Sequence, residues 1–469
     1  MTESRAKFLQ GDLMGHISVM ALSSSVGLVS IFLVDFVDLF FIAMLGEAEL
    51  AAAVGFAGTL LFFTFSVTLG LAIAMGALAA RLIGQGDSDG ARAIATSAVV
   101  FGVILSAVVS FLFWIAAPAL VALLGAKGAT LDYAVSYLRI VVPAMPIATF
   151  GMMCSGLLRA HGDARRAMMV TIVAGLVNAI LDPIFIFGFG WGLEGAALAS
   201  VAARFATLIT AVTPVLRHYG GFAPFDKNRF RRDISPILAL TIPAILTNIA
   251  TPIGNSIVTR VIAPFGDSAV AGYAVVGRLT PLSFCVIFAL SGAVGPIIGQ
   301  NFGARQYARV RGTLTRAMQF AAAYVAAATL LLVLLNGFVS AQFQLAEDGQ
   351  AIVFWFAVAV APLFLFNGSL FISNAAFNNL KRPLWSTLLN WGKNTLGVAP
   401  FVVVGASLGG APGVIIGQAV GGILFGIFGL WLAYRLVNAY ENGKSDPDKP
   451  WRPALPRARP EPPLAGRHG

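Results

Sequence analysis

Two aspartates lie three residues apart in an apolar stretch near the start of the chain. Residues 34–46 read VDFVDLFFIAMLG, and Asp35 and Asp38 are their only charged residues. An ionised aspartate at the centre of a membrane-spanning helix costs roughly 2.5–3.5 kcal/mol on insertion scales. Because this spacing places both carboxyl groups on one helix face, the pair is a candidate site for a proton or a small cation.

A second polar group lies in NAILDPIFIFGFG, residues 178–190. Asn178 and Asp182 share one helix face, and Pro183 loosens the helix and frees backbone carbonyls nearby. Carboxylate and amide oxygens are hard ligands that suit Na⁺, and the same groups can relay protons. Together with Asp38, this pair supplies possible Na⁺ ligands or protonation sites, and the residue types do not distinguish the two.

Ser200 and Arg204 add polar groups to the next apolar stretch. Several interpretations stay open. The acids could be permanently neutral or could form an ion pair with Arg204. Asn178 and Ser200 could hold helices together through interhelical hydrogen bonds. Asp35 could face an outer cavity or support the neighbouring acid.

The composition indicates an all-α polytopic membrane protein. Of the 469 residues, 58% are hydrophobic and only 11% are charged, and the mean hydropathy is +0.84. A soluble protein is about 25% charged. Apolar runs of about twenty residues predict transmembrane helices. We predict twelve, at 17–44, 52–80, 94–122, 132–157, 168–190, 194–215, 236–262, 270–298, 314–338, 350–377, 384–406 and 411–435.

The basic residues predict the orientation in the membrane. Lysines and arginines between the predicted spans concentrate in the N-terminus, the even-numbered loops and the C-terminal tail, and the odd-numbered loops hold only Lys127. The positive-inside rule therefore places both termini in the cytoplasm and the protein in the inner (plasma) membrane. This topology explains the net charge of +10 without a nucleic-acid partner. The chain lacks the large polar domain that often accompanies a membrane enzyme, so we do not expect an enzyme.

The two halves of the chain resemble each other. Ile-Gly-Gln occurs at 83–85 and again at 298–300, and Arg166 and Arg382 each open a span at nearly the same offset. Two six-helix halves have the same orientation and form parallel repeats about an axis along the membrane normal, as in transporters. The predicted organisation is a cytoplasmic N-terminal segment (1–16), an N-lobe with helices 1–6 (17–217), a basic linker (218–233), a C-lobe with helices 7–12 (234–438) and a disordered tail (439–469).

The repeat provides an internal control for the polar residues. The fifth-span asparagine recurs 216 residues later as Asn394, whereas Val398 replaces the acid. The second-half spans carry Lys393 and Arg278 but no carboxylate. This asymmetry predicts that the N-lobe holds the proton or cation site. Lys393, Asn394 and Arg204 are candidate residues of a substrate cleft, although Lys393 could also balance charge or extend toward the membrane surface.

Five motifs together resemble the multidrug and toxic-compound extrusion (MATE) family, and the resemblance covers nearly all of residues 15–438. The motifs are VDLFFIAMLG (37–46), LIGQGD (82–87), LLRAHGDAR (157–165), NAILDPIFIFGFGWGLEGAALAS (178–200) and IIGQNFGAR (297–305).

The resemblance implies twelve helices in two lobes around a central cleft that opens alternately to each side. It implies export of organic cations or amphipathic drugs in exchange for H⁺ or Na⁺, with no cofactor and no obligatory protein partner. Asp38 matches the family's first-helix acid, and Asn178 and Asp182 match its fifth-helix pair. Ser200 falls where relatives often have threonine, and Tyr137 matches a fourth-helix tyrosine near the site.

One departure from the family pattern suggests the branch. NorM-like members also have acids in helices seven and ten, and none occurs in those helices here. The pattern is closer to the DinF-like branch, which relies on the N-lobe. An alternative on the same fold is a flippase or exporter of a lipid-linked or anionic metabolite, which Lys393, Arg278 and Arg204 would favour.

Overall fold

A computed structural model of the chain describes residues 6–444, apart from the side chains of Asp35, Leu39, Ala43 and Ala48. The predicted role of Asp35 and most of the predicted tail therefore fall outside the described part. Within it the chain is helical, as predicted, and contains no strand.

Seven helices build the N-lobe: α1 (Leu13–Ala43), α2 (Ala48–Gly84), α3 (Ser88–Leu123), α4 (Gly128–Val141), α5 (Met145–Ala160), α6 (Ala164–Pro183) and α7 (Gly192–His218). A 3-10 turn, Val142–Ala144, joins α4 and α5 into one span. A π-turn, Ile184–Gly188, extends α6.

Eight helices build the C-lobe: α8 (Lys227–Ile262), α9 (Asp267–Ser283), α10 (Cys285–Gly303), α11 (Tyr307–Gln342), α12 (Glu347–Trp355), α13 (Ala361–Asn379), α14 (Pro383–Asn394) and α15 (Ala399–Glu441). The predicted eighth span consists of α9 and α10, which are separated at Phe284. The predicted tenth span consists of α12 and α13, joined by the π-turn Phe356–Val360.

The last two predicted spans form one hairpin. Helix α15 is kinked at Gly409 and Gly410, whose backbone angles are not helical, and Gly410 has φ 59°. Side chains at Gly405 or Gly413 would clash with the backbone of the other glycine, so the two arms pack closely. The described residues therefore contain eleven helical segments long and apolar enough to span a membrane. The longest, Pro383–Glu441, accounts for two of the twelve predicted crossings.

Aspartates begin four helices on the face that carries the basic loops, which we call the basic face. The carboxylates of Asp12, Asp87, Asp163 and Asp226 accept backbone N–H groups in the first turns of α1, α3, α6 and α8. Such caps satisfy amides that have no helical partner and contribute about 1 kcal/mol each. These short polar signals fix where the spans begin on the basic face.

The repeated Ile-Gly-Gln motifs lie where the two lobes cross on the basic face. A side chain at Gly84 of α2 would clash with the backbone of Gln300 in α10. A side chain at Gly303 of α10 would clash with the carbonyl oxygen of Arg81. Glycine is required here because the two helix backbones touch, as small residues allow between membrane helices. The motifs therefore set the contact between the lobes.

Candidate functional site

The candidate acids Asp38 and Asp182 lie far from the basic face. Asp38 is in the last two turns of α1, roughly 35–40 Å along the helix from Leu13 at about 1.5 Å per residue. Helix α6 approaches α1 closely, since a Cβ atom at Gly175 would lie 3.0 Å from Ser30 Oγ and 3.0 Å from Val34 Cγ2. This small residue lets the polar side chains of the two helices meet.

Asn178 joins the two acids. Its Nδ2 atom donates to Asp38 Oδ1 at 3.2 Å and to Asp182 Oδ2 at 2.8 Å. Asn178 is buried and Asp182 is fully buried, whereas Asp38 is half-buried. The structure thus brings together the three residues singled out in the sequence, and their roles in ion coupling stay predictions.

The two carboxyl groups share one small space. Asp182 Oδ1 is buried and accepts no N–H or O–H hydrogen bond from a described residue. The carboxyl groups of Asp38 and Asp182 lie close together, because both contact the same nitrogen atom, Asn178 Nδ2. Two like charges at such a distance disfavour double ionisation, and a hydrogen bond between carboxyl groups requires a proton. The donor set therefore fits a shared proton, or a small cation that would take its place.

Tyr137, Ser200 and Arg204 form the next polar layer. Tyr137, from α4, is buried, and its side chain lies beside Ser200 of α7. One turn along α7, Arg204 Nη1 donates to the carbonyl oxygen of Val141 at 2.6 Å. Among the described residues Arg204 forms no ion pair with an acid. The structure therefore does not pair Arg204 with Asp38 or Asp182 in this conformation, because a backbone carbonyl holds its guanidinium.

The C-lobe candidates lie in a separate polar cluster. Lys393 Nζ, on α14, donates to Asn367 Oδ1 on α13. The buried Asn394 side chain packs directly against Gly254 of α8. Arg278 is exposed on α9. The structure therefore does not bring Lys393 or Asn394 into the aspartate cluster of the N-lobe.

Sequence reasoning missed the asparagines of α13 and α14, one of which contacts Lys393. Besides Asn367, the side chain of Asn390 donates to Asn374 Oδ1 at 3.0 Å, and both are buried. The signal was present in FNGSLFISNAAFNN, because Asn367, Asn374 and Asn378 are spaced seven and four residues apart and share a helix face. A search for acids alone overlooked it.

Comparison with known proteins shows relatives along the whole chain. The sequence is 29% identical to the FAD transporter of Shewanella oneidensis over 443 residues, which cover 91% of this chain and 96% of the relative. It is 25% identical to the multidrug export protein MepA of Staphylococcus aureus over 271 residues, which cover 56% of this chain and 59% of MepA.

Solved structures share the fold. An outward-facing multidrug resistance MATE transporter aligns with a TM-score of 0.88 at 22% identity, over 93% of this chain and 99% of that chain. A Vibrio cholerae MATE transporter aligns with a TM-score of 0.86 at 24% identity, over 92% and 98% of the two chains.

The family model matches the chain twice. The MatE family matches residues 24–184 and residues 243–404, one segment in each predicted half and together more than half of the chain. Two matches within one sequence agree with the internal repeat indicated by the glycine and arginine landmarks. This multi-pass membrane protein, with its two helical lobes, therefore belongs to the MatE (MATE) family of transporters.

Proposed function

We propose that the protein is a secondary antiporter that exports organic cations or amphipathic compounds in exchange for H⁺ or Na⁺. The observation that supports this proposal is the Asp38–Asn178–Asp182 cluster, with one amide bridging two carboxyl groups. Its buried oxygen, Asp182 Oδ1, lacks a donor among the described residues. A proton or a small cation arriving from the face opposite the basic face would complete this site.

Coupling would follow from competition for one negative site. With the acids ionised, the N-lobe attracts a cationic substrate. Binding of a proton or Na⁺ neutralises that charge and favours substrate release. Each ligand can shift the equilibrium between inward-open and outward-open states only by its differential affinity for them. Tyr137 and Ser200, which lie side by side in the next polar layer, would form the wall of this site.

A second candidate function is export of an anionic dinucleotide. The relative from Shewanella oneidensis is a FAD transporter, and FAD carries a pyrophosphate. In the C-lobe, the Lys393 side chain donates to the amide oxygen of Asn367. Such a lysine can bind a phosphate group as a compact charge. In this case the N-lobe acids would still couple the ion, while the C-lobe would bind the substrate.

The experiment uses the purified protein in proteoliposomes. One preparation is loaded with a fluorescent organic cation and another with FAD, and efflux is recorded under an imposed pH gradient and then a Na⁺ gradient. The proposal expects gradient-driven efflux that Asp38→Asn abolishes, and the effective gradient identifies the ion.

The two substrates separate the candidate functions. Cation efflux without FAD efflux supports the first, and the reverse supports the second. Transport that continues unchanged in Asp38→Asn would contradict the assignment of coupling to the N-lobe. Ser256→Ala, which removes only an exposed hydroxyl that donates within α8, is a suitable control variant.

A further inference from the structure

The first described residues cross the basic face and touch both lobes. Residues 6–12, which we call the N-terminal clasp, contain a 3-10 turn, Lys7–Leu9, before α1 begins. Phe8 is only 1% exposed, although it precedes the first membrane helix. Its ring meets that of His16 edge to face at 5.2 Å. A buried aromatic ring at this position indicates a specific docking site for the clasp.

The C-lobe holds the clasp through its backbone. Phe8 N donates to Gln300 Oε1 at 2.9 Å, and Asn301 Nδ2 donates to Phe8 O at 3.2 Å. Arg309 Nη2 reaches three carbonyl oxygens of the clasp, on Phe8 at 2.9 Å, Gln10 at 3.3 Å and Gly11 at 3.2 Å. Hydrogen bonds from a charged donor are roughly twice as strong as neutral ones.

The N-lobe holds the same segment from the other side. Lys7 Nζ donates to the carbonyl oxygen of Gly162 at 3.0 Å. Gly162 has φ 80°, and a Cβ atom there would lie 2.9 Å from the Phe8 ring. Gln300 closes the arrangement, because its Nε2 atom donates to Ala160 O in the N-lobe at 2.7 Å. The clasp, the loop after α5 and the end of α10 therefore form one polar junction between the lobes.

We propose that the N-terminal clasp is the gate of the transport cycle on the basic face, with Phe8, Gln300 and Arg309 as its positioning residues. This inference rests on the proposed function, because alternating access requires the lobes to separate on that face. Separation must break the Lys7–Gly162 and Gln300–Ala160 hydrogen bonds. The clasp thus stabilises the state that is closed on the basic face, and its release admits substrate.

Arg309 offers the sharpest variant, because it holds three clasp carbonyls while lying at the protein surface. Arg309→Gln removes the charge and shortens the side chain. Loss of a hydrogen bond from a charged group corresponds to about a tenfold change in an equilibrium. The matched control is Arg311→Gln on the same helix, since Arg311 bonds Glu441 and Asn438 instead of the clasp.

Hydrogen exchange of the full-length protein in lipid nanodiscs measures the opening without any substrate. For Arg309→Gln, the proposal expects roughly tenfold faster exchange in the clasp and also in the N-lobe residues 157–163. The milder variant Lys7→Ala should show a smaller increase in both segments. Arg311→Gln should match the wild type in both.

If exchange in Arg309→Gln accelerates only in residues 6–12 and not in residues 157–163, the proposal that the clasp is a gate is wrong. The clasp would then only anchor the N-terminus. Exchange could also accelerate in both segments while the protein transports neither test substrate. That outcome would support the gate and contradict the proposed substrates. In a protein that does transport, Arg309→Gln should lower the half-saturating substrate concentration on the basic face, because a larger fraction is open to bind.

Discussion

The two lobes present the same helix pair with different chemistry. In the N-lobe, Asn178 of α6 faces Asp38 of α1. In the C-lobe, Asn394 of α14 faces Gly254 of α8, and both partners lie 216 residues further along the chain. The same offset carries the buried Asp182 to the buried Val398. The scaffold repeats, whereas the carboxyl groups do not.

The asparagine is the part of the repeated helix pair that the two lobes share, and the charged residues are the part that differs. The asparagine is present in both lobes, so it serves the packing of the repeated helix pair in either. Only the N-lobe adds two acids, and only the C-lobe adds a lysine, Lys393, that donates to Asn367. The two repeated helix pairs therefore differ in charge, with carboxyl groups at the N-lobe pair and a lysine at the C-lobe pair.

The largest effect is expected for Asp182→Asn, which removes a carboxyl group from the N-lobe without changing its size. Loss of an interaction with a buried charge of about 3 kcal/mol corresponds to on the order of 100-fold slower gradient-driven export. Efflux from proteoliposomes measures this. The mirror variant Val398→Thr adds a polar atom at the equivalent C-lobe position and should keep coupling. Equal losses in both variants would show that the two lobes do not differ in function.

The next effect concerns the positive side of the comparison. Lys393→Gln keeps a donor for Asn367 but removes the charge. If the C-lobe binds an anionic group, affinity for FAD should fall about tenfold, while affinity for an organic cation should not fall. Equilibrium binding to the purified protein measures both. Unchanged FAD affinity would assign Lys393 to helix packing alone.

A third prediction tests how tightly the C-lobe pair is packed. Gly254→Ala places a methyl group against the Asn394 side chain and should destabilise the fold by about 1–3 kcal/mol through overpacking. Gly277→Ala in the same lobe is the control, since nothing lies within 4 Å of its Cβ position. Thermal unfolding of the two variants should differ by a few degrees. Equal midpoints would mean that α8 and α14 can separate without cost.

The smallest effect is a pH dependence of the stability, which arises at His161 on the N-lobe side of the basic face. The His161 ring stacks on Tyr219 with centroids 4.3 Å apart. Burial lowers the pKa of His161 to about 4, and the nearby Asp163 opposes this only in part. In the unfolded chain, the histidine side chain has a pKa near 6.5. Below that pH it binds a proton that His161 in the folded protein does not bind. The contribution of His161 to the stability of the fold is therefore fully present above about pH 6.5, and it is lost as the pH falls toward 4.

His161→Phe keeps the stacking and removes the proton site. Between pH 7 and pH 5 the wild type should lose roughly 1–2 kcal/mol more stability than this variant. Thermal unfolding at both pH values measures the difference. The matching C-lobe turn carries Lys381 at φ 60° where the N-lobe has Gly162, and it contains no histidine. If His161→Phe loses as much stability as the wild type between pH 7 and pH 5, the pH dependence arises from another residue.

The sequence predicted the helices and the repeat because both depend on short-range patterns. Twenty-residue apolar runs located the spans within several residues, and the Ile-Gly-Gln landmarks located the two halves. The breaks inside spans were not predicted. Hydropathy, which averages over a whole apolar run, does not show the break at Phe284 between α9 and α10 or the π-turn Phe356–Val360. The close hairpin of α15 required knowledge of which glycines meet.

The acids of the candidate site were predicted because a charge in an apolar run is conspicuous. Their grouping with Asn178 followed from helical spacing and the family resemblance. The asparagines of α13 and α14 were missed because amides are common in polar loops and carry no charge signal.

The sequence by itself determined the membrane class, the helices, the two-fold repeat and the confinement of carboxyl groups within the predicted spans to the N-lobe. Those properties follow from the amino-acid composition and from the spacing of residues along the chain. Only the tertiary structure decided that Arg204 donates to the carbonyl oxygen of Val141, and that Phe8 is buried between the lobes. Such contacts join residues far apart in the chain, as Phe8 and Gln300 are. They depend on how helices approach each other, which local patterns do not encode.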